Sequence, residues 1–187
     1  MRFTELPLKG AFLVELDKRE DERGFFARAY CEREFADHGL TSPMVQANCS
    51  LSVEPHTLRG LHYQIGAAAE DKYIRCIRGR THNVLVDMRP DSPTFLRPHA
   101  VQLSSELRNA IYVPRGFANG MMTLEPHAEL FYMSSNFYTP EAERGVRWDD
   151  PRIGIQWPYQ PAVLSAKDRA LPDYRPDYHL GGGAHRP

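Results

Sequence analysis

Apolar and polar residues alternate over short stretches between turn signals, the pattern of β-strands. From Thr81 to Met88, Val84 and Val86 fall on one face of an extended chain, and Asn83, Leu85 and Asp87 on the other. Successive strand side chains point to opposite faces. Apolar groups on both faces therefore predict an inner strand, buried on both sides. Stretches rich in β-branched and aromatic residues predict strands within Ala11–Leu16, Phe25–Tyr30, Tyr73–Ile77, His82–Met88, His99–Leu103, Asn109–Val113 and Glu129–Phe137. Turn signals lie between them at Arg23-Gly24, Arg78-Gly79-Arg80, Arg89-Pro90-Asp91-Ser92-Pro93 and Pro114-Arg115-Gly116. Helix is scarce. Glu32–His38, ended by Gly39, is one short candidate, and a second begins near Ser104, where Ser104-Ser105-Glu106-Leu107 offers a weak cap.

The pattern predicts an all-β chain with a few short helices. No internal repeat and no linker divides it, and 187 residues suit one domain with a sizeable core. That domain is expected over residues 1–180, with the glycine-rich stretch 181–187 as a flexible tail.

Composition narrows the function classes. Apolar residues make up 42% and charged residues 25%, ordinary for a soluble globular protein. A formal net charge of −1 gives no support to a nucleic-acid partner, although a local basic pocket fits it. No run approaches the roughly 20 apolar residues that span a bilayer, and Met1-Arg2-Phe3-Thr4-Glu5 opens no signal peptide. A cytoplasmic location without membrane contact is expected. The three cysteines, Cys31, Cys49 and Cys76, match no disulfide or zinc framework and are expected as reduced thiols.

The densest chemical signal is Leu58-Arg59-Gly60-Leu61-His62-Tyr63-Gln64. Regular alternation puts Gly60, His62 and Gln64 on one face and Arg59, Leu61 and Tyr63 on the other. With the first face turned inward, His62 stands in a cavity; taken alone, it reads first as a satisfied structural histidine. Lys72, Tyr132, Tyr138 and Asp168 have plain readings of their own as surface charge, strand packing and a helix start. No metal site is expected: His62 has no second histidine in its motif, and Pro114-Arg115-Gly116-Phe117-Ala118-Asn119 has none either.

Taken together, the motifs resemble the dTDP-4-dehydrorhamnose 3,5-epimerase family. They run in order from Asp21-Glu22-Arg23-Gly24-Phe25-Phe26 and Gln46-Ala47-Asn48-Cys49-Ser50 through the His62 segment and Lys72. Val86-Asp87-Met88-Arg89, Ser92-Pro93-Thr94-Phe95 and Val113-Pro114-Arg115-Gly116-Phe117-Ala118 follow. Tyr132, Tyr138, Trp148-Asp149-Asp150-Pro151, Ile155-Gln156-Trp157-Pro158 and Leu164-Ser165-Ala166-Lys167-Asp168 close the set. The resemblance implies a cupin-type jelly-roll barrel, a homodimer, a nucleotide-sugar substrate and no cofactor. It implies inversion of C3, C5 or both in a nucleoside-diphosphate 4-keto-6-deoxyhexose. By position His62 matches the base, Asp168 its carboxylate partner, Tyr132 the acid and Lys72 the cation near the C4 oxygen. Arg23, Gln46, Asn48, Arg59, Glu143 and Lys167 match substrate contacts, and Tyr138 an aromatic that stacks near the nucleotide base.

Three positions depart from the family pattern. Asn119 replaces a histidine, Asn83 an aspartate and Arg28 a glutamate associated with nucleotide contact. Because glutamate only accepts hydrogen bonds and arginine only donates, Arg28 raises a preference for a cytidine diphosphate sugar over a thymidine one, against the plain reading that it points to water. A mono-epimerase, a 3,4-ketoisomerase and a non-catalytic sugar-nucleotide-binding cupin are the alternatives.

Overall fold

The computed structural model describes residues 1–180; the tail expected at 181–187 lies outside them. One sheet has six strands in the spatial order β1 (Arg2–Glu5), β2 (Phe12–Glu15), β10 (Ala110–Val113), β7 (Lys72–Arg78), β12 (Ala128–Ser134) and β5 (Gln46–Ser52). The second runs β13 (Glu143–Gly145), β6 (Thr57–Gln64), β11 (Phe117–Thr123), β8 (Arg80–Asp87) and β9 (Pro98–Ser104). The short β14 (Val163–Leu164) lies parallel to β6. From β5 to β8 and again from β9 to β13 the chain steps from one sheet to the other, the wiring of a jelly roll. A separate two-stranded ribbon pairs β3 (Arg19–Asp21) with β4 (Gly24–Phe26).

The two sheets face each other across Ile74, Cys76, Ile111 and Leu130 from the first and Leu85, Leu103, Phe117 and Met121 from the second. Alternation on β8 is as the sequence predicts. Leu85 joins this inner core, while Val84 and Val86 pack outward beneath Val146, Ile153 and Tyr174 of the C-terminal third. The outer face of the first sheet is partly covered by helix α1 (Glu32–Ala36), whose Phe35 packs on Val14, Tyr73 and Tyr112. Two further short helices, α2 (Ala166–Arg169) and α3 (Pro176–His179), follow. No helix among the described residues is long and apolar enough to cross a membrane.

Several expected elements change. The strand expected over Phe25–Tyr30 stops at Phe26, because β4 has only β3 to pair with. The strand expected to reach Phe137 ends at Ser134, where its pairing with Gln46 and Lys72 ends. The Ser104 helix does not form. The Ser104 hydroxyl instead accepts the amides of Glu106 and Leu107, closing a turn between β9 and β10.

Candidate active site

Between β5, β12 and β7 of one sheet and β6 and β11 of the other, the inner core gives way to a cavity of about 750 Å³. That volume lies within the range of small-ligand sites. His62, Arg59, Lys72, Tyr132, Asn119 and Asp168 all line it, as do Gln46, Asn48, Tyr138, Glu143 and Lys167.

Arg59 and His62 share the cavity despite being three residues apart on one strand. On β11, Asn119 pairs with His62 and Met121 with Arg59, so three steps on β6 oppose two on β11. This is a β-bulge, and the extra residue turns the Arg59 side chain to the His62 face. The expected placement of Arg59 opposite His62 is therefore corrected. Gly60 permits the bulge. Its φ is +109°, and a Cβ there would lie 2.8 Å from both the Asn119 carbonyl oxygen and the Gly120 Cα. Leu61 and Tyr63 point away and pack in the outer core, as alternation predicts.

His62 Nε2 lies 2.6 Å from Asp168 Oδ1. Asp168 reaches it from the first turn of α2, where Ser165 caps the helix by accepting the Asp168 amide at 3.0 Å. Burial pushes the Asp168 carboxyl up, but the hydrogen bond and charge of His62 outweigh it and hold the group below its ordinary range. His62 Nδ1 has no hydrogen-bond partner and lies 3.6 Å from Glu143 Oε1. Glu143 is in turn held by Lys167 Nζ, 2.7 Å from each carboxylate oxygen, and by the Tyr138 hydroxyl at 2.8 Å. Burial opposes its ionisation, yet these partners keep Glu143 below the usual carboxylate value.

On the opposite wall, Lys72 pairs with Ser134 and Ile74 with Tyr132. Lys72 and Tyr132 are thus diagonal neighbours on one face of the sheet. Burial first, then the charge of Glu70, pushes the Tyr132 phenol up, with Arg59 acting against them. Arg59 itself is fixed by Nε on the Ser52 hydroxyl and Nη2 on the Leu51 carbonyl. Gln46 accepts the Tyr138 amide, and Gln64 holds the same loop through Thr139 and Phe137. Asn119 donates to the Val84 carbonyl.

Three singled-out residues lie elsewhere. Arg23 sits at the tip of the β3–β4 ribbon, its side chain 83% exposed and bonded to Asp21. Arg28 follows the ribbon and is paired with Glu34 at 3.0 Å. Asn83 is fully buried outside the cavity lining, donating to Thr81. Among the charged residues lining the cavity, Glu70 belongs to none of the motifs singled out in the sequence. Glu70 lines the wall and lies 3.2 Å from Lys72 Nζ. Its two-residue spacing from a lysine at a strand start was the available signal.

The family model for dTDP-4-dehydrorhamnose 3,5-epimerase matches residues 5–175. The enzyme of that name from Salmonella typhimurium is 44% identical over 154 residues, covering 81% of this chain and 84% of its own. Among solved structures, the dTDP-4-dehydrorhamnose 3,5-epimerase of Elizabethkingia anophelis superposes with a TM-score of 0.90 at 39% identity, covering 93% of this chain and 96% of that one. The Bacillus anthracis enzyme, solved with TDP and pyrophosphate bound, also gives 0.90 at 38% identity, covering 92% and 99%. With its cupin-type fold and its His62–Asp168 pair, the chain belongs to the dTDP-4-dehydrorhamnose 3,5-epimerase family.

Proposed function

We propose that this protein inverts C3 and C5 of a dTDP-4-keto-6-deoxyhexose by removing and returning protons beside the ketone. The 2.6 Å contact between His62 Nε2 and Asp168 carries the reading. A carboxylate on Nε2 orients the imidazole and stabilises the positive charge it takes on as the base. The C–H beside a ketone is acidic because charge spreads onto the carbonyl oxygen, and Lys72 supplies a cation for it. Tyr132, on the opposite sheet from His62, returns a proton to the other face. General-base catalysis of this kind contributes about 10²–10⁴-fold.

At the mouth, Tyr138 is 58% exposed and is read as a stacking surface for the base. Arg59 and Lys167 are read as contacts to the diphosphate and sugar. Arg28, engaged with Glu34, lends no support to a cytidine preference. The ribbon leaves Phe25 43% and Phe26 71% exposed, which favours a homodimer in which it covers a second copy and brings Arg23 there. A cytoplasmic location fits this biosynthetic reading.

Proton NMR of dTDP-4-keto-6-deoxyglucose in deuterium oxide tests the proposal. The wild-type protein is expected to erase both H3 and H5, and His62→Ala neither. Loss of one signal would make it a mono-epimerase; loss of neither would sink the reading.

A further inference from the structure

Glu70 precedes β7 by two residues, lines the cavity, and keeps a carboxylate oxygen 3.2 Å from Lys72 Nζ. Both side chains are largely withdrawn from solvent, Glu70 at 10% and Lys72 at 17% exposure. A flexible ammonium on a four-carbon stem samples many rotamers unless something fixes it. Other ion pairs at this site engage different residues: Glu143 holds Lys167, and Asp168 holds His62. Glu70 is thus the carboxylate that meets Lys72.

We propose that Glu70 is a positioning residue, anchoring the Lys72 ammonium on the cavity wall beside Tyr132 and balancing the cations there. The proposal rests on the proton-transfer reading above, in which Lys72 stabilises the enolate and Tyr132 donates. Three cations, Lys72 on β7, Arg59 on β6 and Lys167 on α2, the last held by Glu143, line the same cavity as the phenol. From β5 it meets the neutral Asn48 in register, while His62, Glu143 and Asp168 line the facing wall. Unbalanced cations draw the proton from a phenol and leave a phenolate with nothing to donate. Glu70 opposes them, and its charge adds to burial in pushing Tyr132 up.

The test compares wild type, Glu70→Gln and Glu70→Asp, each with and without Tyr132→Phe. Tyrosinate absorbance is titrated without substrate, and the difference within each pair isolates Tyr132. Glu70→Gln is expected to lower the Tyr132 midpoint by about half a pH unit or more. It is also expected to lower kcat about tenfold with little change in KM, because the cation is needed most where charge develops. Glu70→Asp, which keeps the charge, restores most of the midpoint and guards against a variant that fails to fold. A Tyr132 midpoint unmoved by Glu70→Gln overturns the proposal, whatever the rate does. If the wild type exchanges neither H3 nor H5, the proton-transfer reading fails by itself, and the substrate-free titration still decides Glu70.

Discussion

At the scale of single residues, the site turns on the carboxylate that holds the His62 ring. Asp168 accepts from Nε2 at 2.6 Å, and Nδ1 has no hydrogen-bond partner. An asparagine at 168 fits the same space but offers an amide that donates to Nε2. The ring then changes tautomer and loses the carboxylate that stabilises its positive charge. Asp168→Asn is therefore expected to fold normally and to lose about 10²–10⁴-fold in kcat. Single-turnover exchange of H3 and H5 measures this, and a loss under threefold would remove Asp168 from the mechanism. Residue types and their order made much of this legible in sequence. The long-range partnership did not depend on spacing along the chain: 106 positions separate His62 from Asp168, and the fold alone brings them into contact.

At the scale of elements, the bulge in β6 decides what the cavity contains. Period-two alternation correctly puts Leu61 and Tyr63 outside, yet it sends Arg59 out with them. One extra residue reverses Arg59 without moving His62. A bulge leaves no reliable mark in a hydrophobic pattern, since its register depends on β11 opposite. Gly60 was visible, but its positive φ was not. Gly60→Ala places a methyl against the β11 backbone in a conformation alanine resists. It is expected to lower stability by about 1–3 kcal/mol and to weaken substrate binding more than proton abstraction, as Arg59 turns away. Urea unfolding and a KM-against-kcat comparison check both parts. Equally, β4 was read as too long because aromatic residues suggest a strand without saying where its partner ends.

At the scale of the whole molecule, acid acts through histidines as well as carboxylates. The C-terminal third wraps the outer face of the second sheet, burying His179 and half-burying His82. His82 meets Trp157 edge-on, with Nε2 buried and without a hydrogen-bond partner. Nδ1 of His179 accepts the Arg175 amide, and its Nε2 lies 3.1 Å from the Gly145 carbonyl on β13. Burial pushes both imidazoles below their ordinary value of 6.5. The unfolded chain therefore binds protons that the fold refuses, and stability falls as pH drops from about 6.5 toward the folded values. Each such group contributes at most about 1.4 kcal/mol per pH unit. The depressed carboxylates Asp71, Asp87 and Asp168, with an ordinary value of 3.8, withdraw their stabilisation only at lower pH. Wild type and a His82 variant share those carboxylates, so the difference between the two proteins reads the histidine alone. His82→Phe keeps an aromatic ring against Trp157 and removes one titration. Its Tm is expected to match wild type near pH 7.5 and to fall less steeply between pH 6.5 and 5. Parallel slopes in the two proteins would mean that His82 takes up its proton without unfolding, and that the C-terminal wrap opens locally to admit it.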